Sequence, residues 1–177
     1  NTFFNRTGKT FKRKFPHTHH QAVKKLGKGL IASMYTGSVI EGIEHVGSTS
    51  VEGLSAKPCI DIDVIIRDYT VFDAVVEKLG AIGYIHEGDL GIQDREAFRY
   101  SDKPHLQTHH LYVCPQDSQE LHRHVTFRDF LRSNPEAVKK YSSVKETAAR
   151  LFPDDIDQYI QYKSPCIEEL YGLCGLT

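Results

Sequence analysis

Two aspartates interrupt an apolar segment near the middle of the chain, in the sequence IDIDVII. They are Asp61 and Asp63, and the residues between and after them are isoleucine and valine. Such β-branched residues favour a buried strand. Two carboxylates side by side in a buried strand are costly, because they lose water and repel each other. Any fold of this chain must therefore offset that cost.

On a strand, alternate side chains point the same way, so the two aspartates share one side. The other side consists of apolar residues that pack into a core: Ile60, Ile62, Val64 and Ile66. Two converging carboxylates suit Mg²⁺ (or Mn²⁺), which takes one or two carboxylates together with water and substrate phosphates. Alternatively, the aspartates lie on a solvent-facing strand surface and pair with Arg67, Arg95 or Arg99.

A Gly-Ser turn, Gly47-Ser48, follows the short strand predicted for IEHV. Such a turn at a helix N-terminus exposes backbone N–H groups and a hydroxyl, which suits a phosphate chain. By itself it is more typical of a plain helix cap. Placed thirteen residues before Asp61, it would clamp a nucleoside triphosphate together with the metal.

The patterns elsewhere predict an α+β fold, with a small mixed sheet flanked by helices. Apolar residues at helical spacing predict helices over residues 20–36 and 70–80, the second with Thr70 as cap and Gly80 as stop. Strands are predicted over residues 59–66 and 108–114, with 97–101 as the hairpin neighbour of the latter.

Three helices are predicted after the last strand. The first has Asp117 as its cap, and the second has Asn134 as its cap and Pro135 at the first helical position, where a missing N–H costs nothing. In the second helix, Val138, Tyr141, Lys145 and Ala148 share one face. The third helix is interrupted or bent near Pro165.

The length of 177 residues predicts a single domain, residues 1–177. Within it we expect a basic arm and helix (1–40), a sheet core with the site (41–115) and C-terminal helices (116–177). The composition, 40% hydrophobic and 25% charged, is typical of a soluble globular protein, and the sequence has neither a membrane-spanning apolar run nor a signal-peptide core. Four cysteines without a C-x-x-C pair indicate buried, reduced thiols in a cytoplasmic protein.

The first forty residues contain eight lysines and arginines and no acidic residue. Such an arm can contact phosphates, including those of RNA. It is also typical of an ordinary solvated helix face, and the overall net charge of -1 argues against strong affinity for nucleic acid.

The segment IEHVGSTSVEGLSAKPCIDIDVII resembles the GrpB family, whose signature runs close to I-E-H-I-G-S-T-A-V-P-G-L-x-A-K-P-I-I-D-I. GIQDREAFR, THHLYV, FRDFLR and YIQYKSPCI are similar to further segments of that family. The resemblance covers about residues 40–170 and implies a place in the polymerase-beta-like nucleotidyltransferase superfamily. It implies the minimal nucleotidyltransferase sheet, with Gly47 and Ser48 holding the triphosphate and Asp61 and Asp63 holding Mg²⁺.

The superfamily usually supplies a third carboxylate from a neighbouring strand, and this chain departs from that pattern. The matching strand carries His109, His110 and Tyr112 instead. His110 is the candidate for a third ligand, or for the base that activates an acceptor hydroxyl near neutral pH.

Other polar residues are weaker candidates. His45 contacts a phosphate, contributes to the metal site, or is a hydrogen-bonded structural histidine. Lys57 reaches a phosphate as a point charge or lies free on the surface. Arg95 and Arg99 bind phosphate only if their strand neighbours the aspartate strand.

Further groups are interpreted as structural. The histidine clusters at residues 17–20, 109–110 and 122–124 lack the spacing of a zinc motif, and His110 is the one member kept as a possible metal or acceptor ligand. Arg128, Asp129 and Arg132 indicate an ion network within the helix and between domains, with an acceptor-binding wall as the alternative.

The sequence therefore predicts a Mg²⁺-dependent nucleotidyltransferase-like protein that binds a nucleoside triphosphate and transfers a nucleotidyl group to an unknown acceptor. Two alternatives remain. One is a non-catalytic module of the same fold that binds a nucleotide or phosphometabolite, which the missing third carboxylate favours. The other is an RNA-contacting protein that uses the basic arm.

Overall fold

The computed structural model describes residues 2–4, 10–12 and 39–176. In the first two ranges, strands β1 (Thr2–Phe4) and β2 (Thr10–Lys12) pair in antiparallel fashion. The helix predicted over residues 20–36 and most of the basic arm (1–40) lie outside the described residues.

Five strands form the main sheet, in the order β3-β4-β7-β6-β5. Their bounds are Gly42–Val46 for β3, Ile60–Ile66 for β4, Tyr84–Gly88 for β5, Glu96–Tyr100 for β6 and His109–Pro115 for β7. β4 and β7 run parallel, and the other neighbouring pairs are antiparallel. The aspartate strand thus lies between β3 and β7, and β6 pairs with β7 as predicted.

One face of the sheet is apolar, and helix α1 (Phe72–Ala81) covers it. The core-facing residues of β4 are at most 1% exposed, and they pack against Val75 and Leu79 of α1. Burial of each such side chain contributes about 1.5–3 kcal/mol. The alternation therefore fixes which face of β4 carries the aspartates.

The opposite face meets the C-terminal helices α2 (Gln119–Ser133), α3 (Pro135–Leu151) and α4 (Ile156–Leu173). α2 lies against β3 and β7. A second apolar cluster joins the three helices to the segment after β3: Val51, Leu54, Leu131, Val138, Tyr141, Cys166 and Leu170. In α3 the predicted inward face is confirmed, because all four of its residues are buried, including the lysine.

Two helix caps differ from the prediction by one or two residues. Asp68, rather than Thr70, accepts the capping hydrogen bond, from the backbone N–H of Thr70 at 2.8 Å, and a short 3₁₀ turn precedes α1. Ser118, rather than Asp117, caps α2 by accepting from the N–H of Leu121 at 3.3 Å. In both cases the predicted and the observed cap carry a side-chain oxygen that can accept from the free N–H groups of the first turn. The sequence alone therefore does not show which of the two residues is the cap.

Two residues that break helices in isolation are tolerated here. α1 continues through Gly80 to Ala81, and α4 runs without interruption through Pro165. In α4 the packing of Cys166 and Leu170 in the second cluster holds the helix together. Burial of these side chains outweighs the missing hydrogen bond of the proline.

The α+β architecture, a mixed sheet flanked by helices and followed by C-terminal helices, is confirmed, whereas the division into a single domain stays a prediction. All four cysteines are free thiols, but only Cys114 and Cys166 are buried, while Cys59 and Cys174 are partly exposed. None of the helices in the described part of the chain has the length and apolar character needed to cross a bilayer.

Candidate functional site

Asp61 forms the open end of the carboxylate pair, with 30% of its side chain exposed. His110, its register partner on the parallel strand β7, donates from Nδ1 to Asp61 Oδ1 at 2.8 Å. This hydrogen bond, helped by the thiol of Cys59, raises the pKa of His110 to about 10. His110 is therefore an imidazolium at neutral pH.

Asp63 forms the closed end of the pair, and its side chain is fully buried. His124 of α2 donates from Nδ1 to Asp63 Oδ2 at 2.7 Å, and its Nε2 lies 3.2 Å from Glu120 Oε1. Burial opposes a charge on His124, but the hydrogen bonds to the two carboxylates prevail and raise its pKa to about 9. The other oxygen, Asp63 Oδ1, has no hydrogen-bond partner among the described residues.

Histidines, rather than arginines, thus neutralise the aspartates. Arg67 pairs with the residue that follows it, Arg99 Nε lies 3.4 Å from Glu87 Oε1, and the Arg95 guanidinium stacks 4.3 Å from the centre of the Tyr112 ring. The alternative of an arginine-paired strand surface is therefore wrong.

Gly47 brings the backbone of the Gly-Ser turn against Asp61. Its backbone φ of 67° is one that residues with a side chain rarely adopt. A Cβ at this position would lie 2.1 Å from Asp61 Oδ2. The turn continues as a single 3₁₀ turn, Ser48–Ser50, and not as the start of a regular helix. Glycine is thus required here by close approach to the carboxylate.

Two arginines of α2 hold this turn and β3 in place. Arg128 is buried and donates to the Glu44 carboxylate at 2.5 Å and to the carbonyl of His45 at 3.1 Å. Arg132 donates twice to the carbonyl of Ser50, at 3.1 and 2.9 Å. These contacts agree with the structural interpretation of the arginines.

A cavity of about 260 Å³ opens beside Asp61, between the Gly-Ser turn and α4. Its charged lining residues are Lys57, Asp61, His110, Lys145 and Lys163. At neutral pH the cations therefore outnumber the one carboxylate among the described lining residues, which favours a ligand with several negative charges.

Lys145 is the most buried of these lysines, 6% exposed, and donates to Ser48 Oγ at 2.5 Å. Burial lowers its pKa to about 7, and the neighbouring Lys163 contributes in the same direction. The pKa of Lys163 is also lowered, first by burial and then by Lys57. The lysines repel one another, so an anion between them would relieve that repulsion.

The sequence patterns do not identify Lys145, Lys163, Glu120 or His124 as site residues. For Lys145 a signal existed, since it is a lysine on an otherwise apolar helix face. For His124 and Glu120 the sequence offers no comparable signal, because their partner Asp63 lies 61 positions from His124.

The other predicted residues are divided between the cavity and its surroundings. Lys57 lines the cavity, and its Nζ lies 5.7 Å from the ring centre of Tyr159. His45 is buried on the core-facing side of β3, where its Nε2 bonds Thr49 Oγ1 at 2.9 Å. Arg99 lines a separate cavity of about 340 Å³ that also includes His110. Because β7 separates β6 from β4, Arg99 does not reach the aspartates.

Sequence comparison identifies the family. A family profile described as GrpB protein matches residues 9–172. The chain belongs to the GrpB family. Glutamate-rich protein GrpB of Alkalihalophilus pseudofirmus is 32% identical over 161 residues, which cover 86% of this chain and 91% of that protein. UPF0157 protein YqkA of Bacillus subtilis is 36% identical over 132 residues, 75% of this chain, but the match spans only 38% of that longer protein.

Solved structures agree with the GrpB assignment. The crystal structure of the conserved protein GrpB from Enterococcus faecalis superposes with a TM-score of 0.71 at 28% identity, covering 90% of this chain and 98% of that one. A mutant of the Cid1 poly(U) polymerase bound to MgATP gives a TM-score of 0.50 at 13% identity, over 79% and 43% of the two chains. The second likeness is one of fold, so the predicted nucleotidyltransferase-like architecture of this GrpB chain is confirmed.

A metal ion at the aspartates is compatible with the donors present. Among the described residues, no group of three or more His, Cys, Asp or Glu is arranged to hold a metal. Mg²⁺, however, commonly uses one or two carboxylates and completes its shell with water and phosphate. The partly exposed carboxylate of Asp61 and the unpartnered Oδ1 of Asp63 are oxygens of that kind. The residues therefore fit Mg²⁺ in the two-carboxylate form.

Proposed function

We propose that this GrpB protein binds a nucleoside triphosphate with Mg²⁺ and transfers its nucleotidyl group to an acceptor. One observation carries the proposal: Asp61 and His110 line the same cavity as three lysines drawn from separate segments of the chain. A phosphate chain held by the lysines would thus lie beside the carboxylate expected to take the metal.

The lysines have distinct parts in this proposal. Lys57 and Lys163 are the cations beside the open part of the cavity, and they neutralise the outer phosphates as point charges. Lys145 is fixed by Ser48, so it positions that hydroxyl and the Gly-Ser turn against the phosphate chain. Preorganised cations act most strongly where water is excluded, as around the buried Lys145.

Asp61 and Asp63 Oδ1 would hold Mg²⁺, which when bound supplies Lewis-acid stabilisation of charge on the phosphates. His110 holds Asp61 in position through Nδ1, so this nitrogen has no lone pair for a metal or an acceptor proton. Its Nε2, 3.8 Å from the Cys59 thiol, also carries a proton in the imidazolium form, so it would donate a hydrogen bond to the acceptor or to a phosphate oxygen and would not serve as the base.

A second candidate is a nucleotide-binding module without transferase activity. It is favoured by the hydrogen bonds that already pair each aspartate with a histidine and by the absence of a carboxylate from the described residues of β7. Both candidates require the lysine cavity to bind phosphates, and they differ only in whether pyrophosphate is released.

The test is binding of the four common nucleoside triphosphates to the full chain with and without Mg²⁺, by calorimetry, together with a pyrophosphate-release assay. Lys163→Met should weaken binding by about tenfold or more, because a charge-assisted contact is worth about 1.5–3 kcal/mol. Lys139→Met, at an exposed lysine of α3, is the matched control and should bind like wild type.

Each outcome decides between the candidates. Binding with pyrophosphate release supports the transferase, and binding without release supports the module. Absence of binding by every nucleotide, or equal loss in both lysine variants, would remove both.

A further inference from the structure

One wall of the lysine cavity is apolar and belongs to α4. Ile156 and Ile160 line it and are 55% and 46% exposed, and Tyr159 lies between them. Residues three and four positions apart share one face of a helix. Large apolar side chains exposed together inside a charged cavity indicate a contact surface rather than a core.

The helix face that carries Ile156, Tyr159 and Ile160 also carries a cation, Lys163. Lys163 lies one turn beyond Tyr159 and Ile160, and its Nζ is 5.0 Å from the centre of the Tyr159 ring. From Ile156 to Lys163 the helix rises about 10 Å. A ligand along this stripe would therefore place an apolar body near Ile156 and its phosphates near Lys163.

The hydrogen-bonding groups of the cavity are largely engaged with the protein. Ser55 Oγ donates to Glu146, Thr49 Oγ1 bonds His45, and Ser48 Oγ accepts from Lys145. The described lining includes no Asn, Gln or Glu. Reading the edge of a nucleobase requires polar groups in fixed positions beside it, and the side chains of Ile156 and Ile160 offer none, whereas stacking on an aromatic ring accepts every base.

We propose that the Ile156–Tyr159–Ile160 face of α4 receives the nucleoside part of the nucleotide and does not discriminate between bases. This inference rests on the proposed function, and it names the substrate class as nucleoside triphosphates of any base. Specificity at this site then lies in the phosphate chain.

The experiment compares MgATP, MgGTP, MgCTP and MgUTP with Mg-tripolyphosphate, which carries the phosphates alone, in calorimetric titrations of the full chain. The four nucleotides should bind within about threefold of one another, and tripolyphosphate about tenfold more weakly, since stacking contributes about 1–3 kcal/mol per base. Ile156→Ser and Ile160→Ser should weaken nucleotide binding and leave tripolyphosphate binding unchanged.

One control separates contact from folding. Leu173→Ser changes a residue of α4 that is 65% exposed and does not line the cavity, and it should change neither affinity. Tyr159→Ala removes the ring and should weaken the binding of all four nucleotides to the same extent.

Three results would overturn the inference while leaving the phosphate site intact. These are a preference of more than about tenfold for one base, tripolyphosphate binding as tight as nucleotide binding, or equal loss of both ligands in the isoleucine variants. Failure of tripolyphosphate and nucleotides alike to bind wild type would instead overturn the proposed function itself.

Discussion

Asp61 and Asp63 lie on one face of one strand, and each accepts a hydrogen bond from a histidine, at 2.8 and 2.7 Å. Their surroundings nevertheless differ. Asp61 is 30% exposed beside a lysine-lined cavity, whereas Asp63 is fully buried beneath α2. The same acid–imidazole pair thus occurs once at the edge of a cavity and once closed off beneath a helix.

The element that supplies the histidine explains this difference. His110 comes from the neighbouring strand, so its pair with Asp61 lies along the sheet and leaves the cavity side open. His124 comes from α2, so its pair with Asp63 joins a helix to the sheet. An acid–imidazole pair therefore does not define a ligand site by itself. Whether a ligand can reach the pair distinguishes a pair that can contact a ligand from one that only stabilises the fold.

The largest effect on stability is expected at the buried pair of His124 with Asp63. His124→Ala leaves the Asp63 carboxylate buried without its cation, and we expect the free energy of unfolding to fall by about 3–5 kcal/mol. His122→Ala, at an exposed position of the same helix, should change it by about 0.5 kcal/mol or less. Urea unfolding followed by circular dichroism measures both.

A second substitution sharpens this test. Asp63→Asn in the His124→Ala background removes the buried charge and should recover part of the lost stability, because a neutral amide is less costly to bury than a carboxylate. Equal stability of His124→Ala and His122→Ala would show that the buried pair of His124 with Asp63 contributes no more than an exposed side chain. The contrast between the two aspartates would then be wrong.

A smaller effect on stability is expected at the open pair. Asp61→Asn should lower the free energy of unfolding by about 1 kcal/mol or less, as for other exposed ion pairs, while it weakens the Mg²⁺-dependent part of nucleotide binding. Urea unfolding and calorimetry with and without Mg²⁺ separate the two effects. A stability loss as large as that of His124→Ala would mean that Asp61 serves the fold as Asp63 does.

The smallest effect concerns the proton on Lys145. Its pKa of about 7 lies below the usual value, so the amine is charged below pH 7 and largely neutral above it. An anion favours the charged form, and tripolyphosphate should therefore bind about threefold more tightly at pH 6 than at pH 8.5, with proton uptake at the higher pH.

Lys145→Met isolates this contribution, because tripolyphosphate itself also titrates. Calorimetry at pH 8.5 in buffers of different ionisation enthalpy should detect proton uptake with wild type and less with the variant. Identical uptake in the two proteins would assign the pH dependence to the ligand or to another residue.

The sequence predicts the fold well where the physical cause is local. Alternation in IDIDVII places the aspartates opposite the core, and helical spacing in α3 identifies its buried face, Lys145 included. These patterns depend on residues within one element. The resemblance to the GrpB family adds the order of the elements.

The site is predicted less completely, because it depends on contacts between elements. The sequence indicates a metal as the source of neutralisation for both aspartates, but two histidines already supply it, one of them from a helix whose packing no local pattern reveals. Arg99 fails to reach the aspartates because β7 lies between β6 and β4. Its residue type and its position before the aspartate strand identify Lys57 as a candidate phosphate ligand. Lys145 and Lys163 join it only because α3 and α4 pack beside the Gly-Ser turn.

The contact between Ser48 and Lys145 joins residues 97 positions apart. During synthesis, a chain that has emerged only as far as residue 115 contains every strand of the sheet and both aspartates, but none of α2, α3 or α4. Such a nascent chain lacks two of the three lysines and the apolar wall, so the proposed ligand site forms only after α4 has been synthesised. Ligand could then stabilise only molecules whose C-terminal helices have already docked.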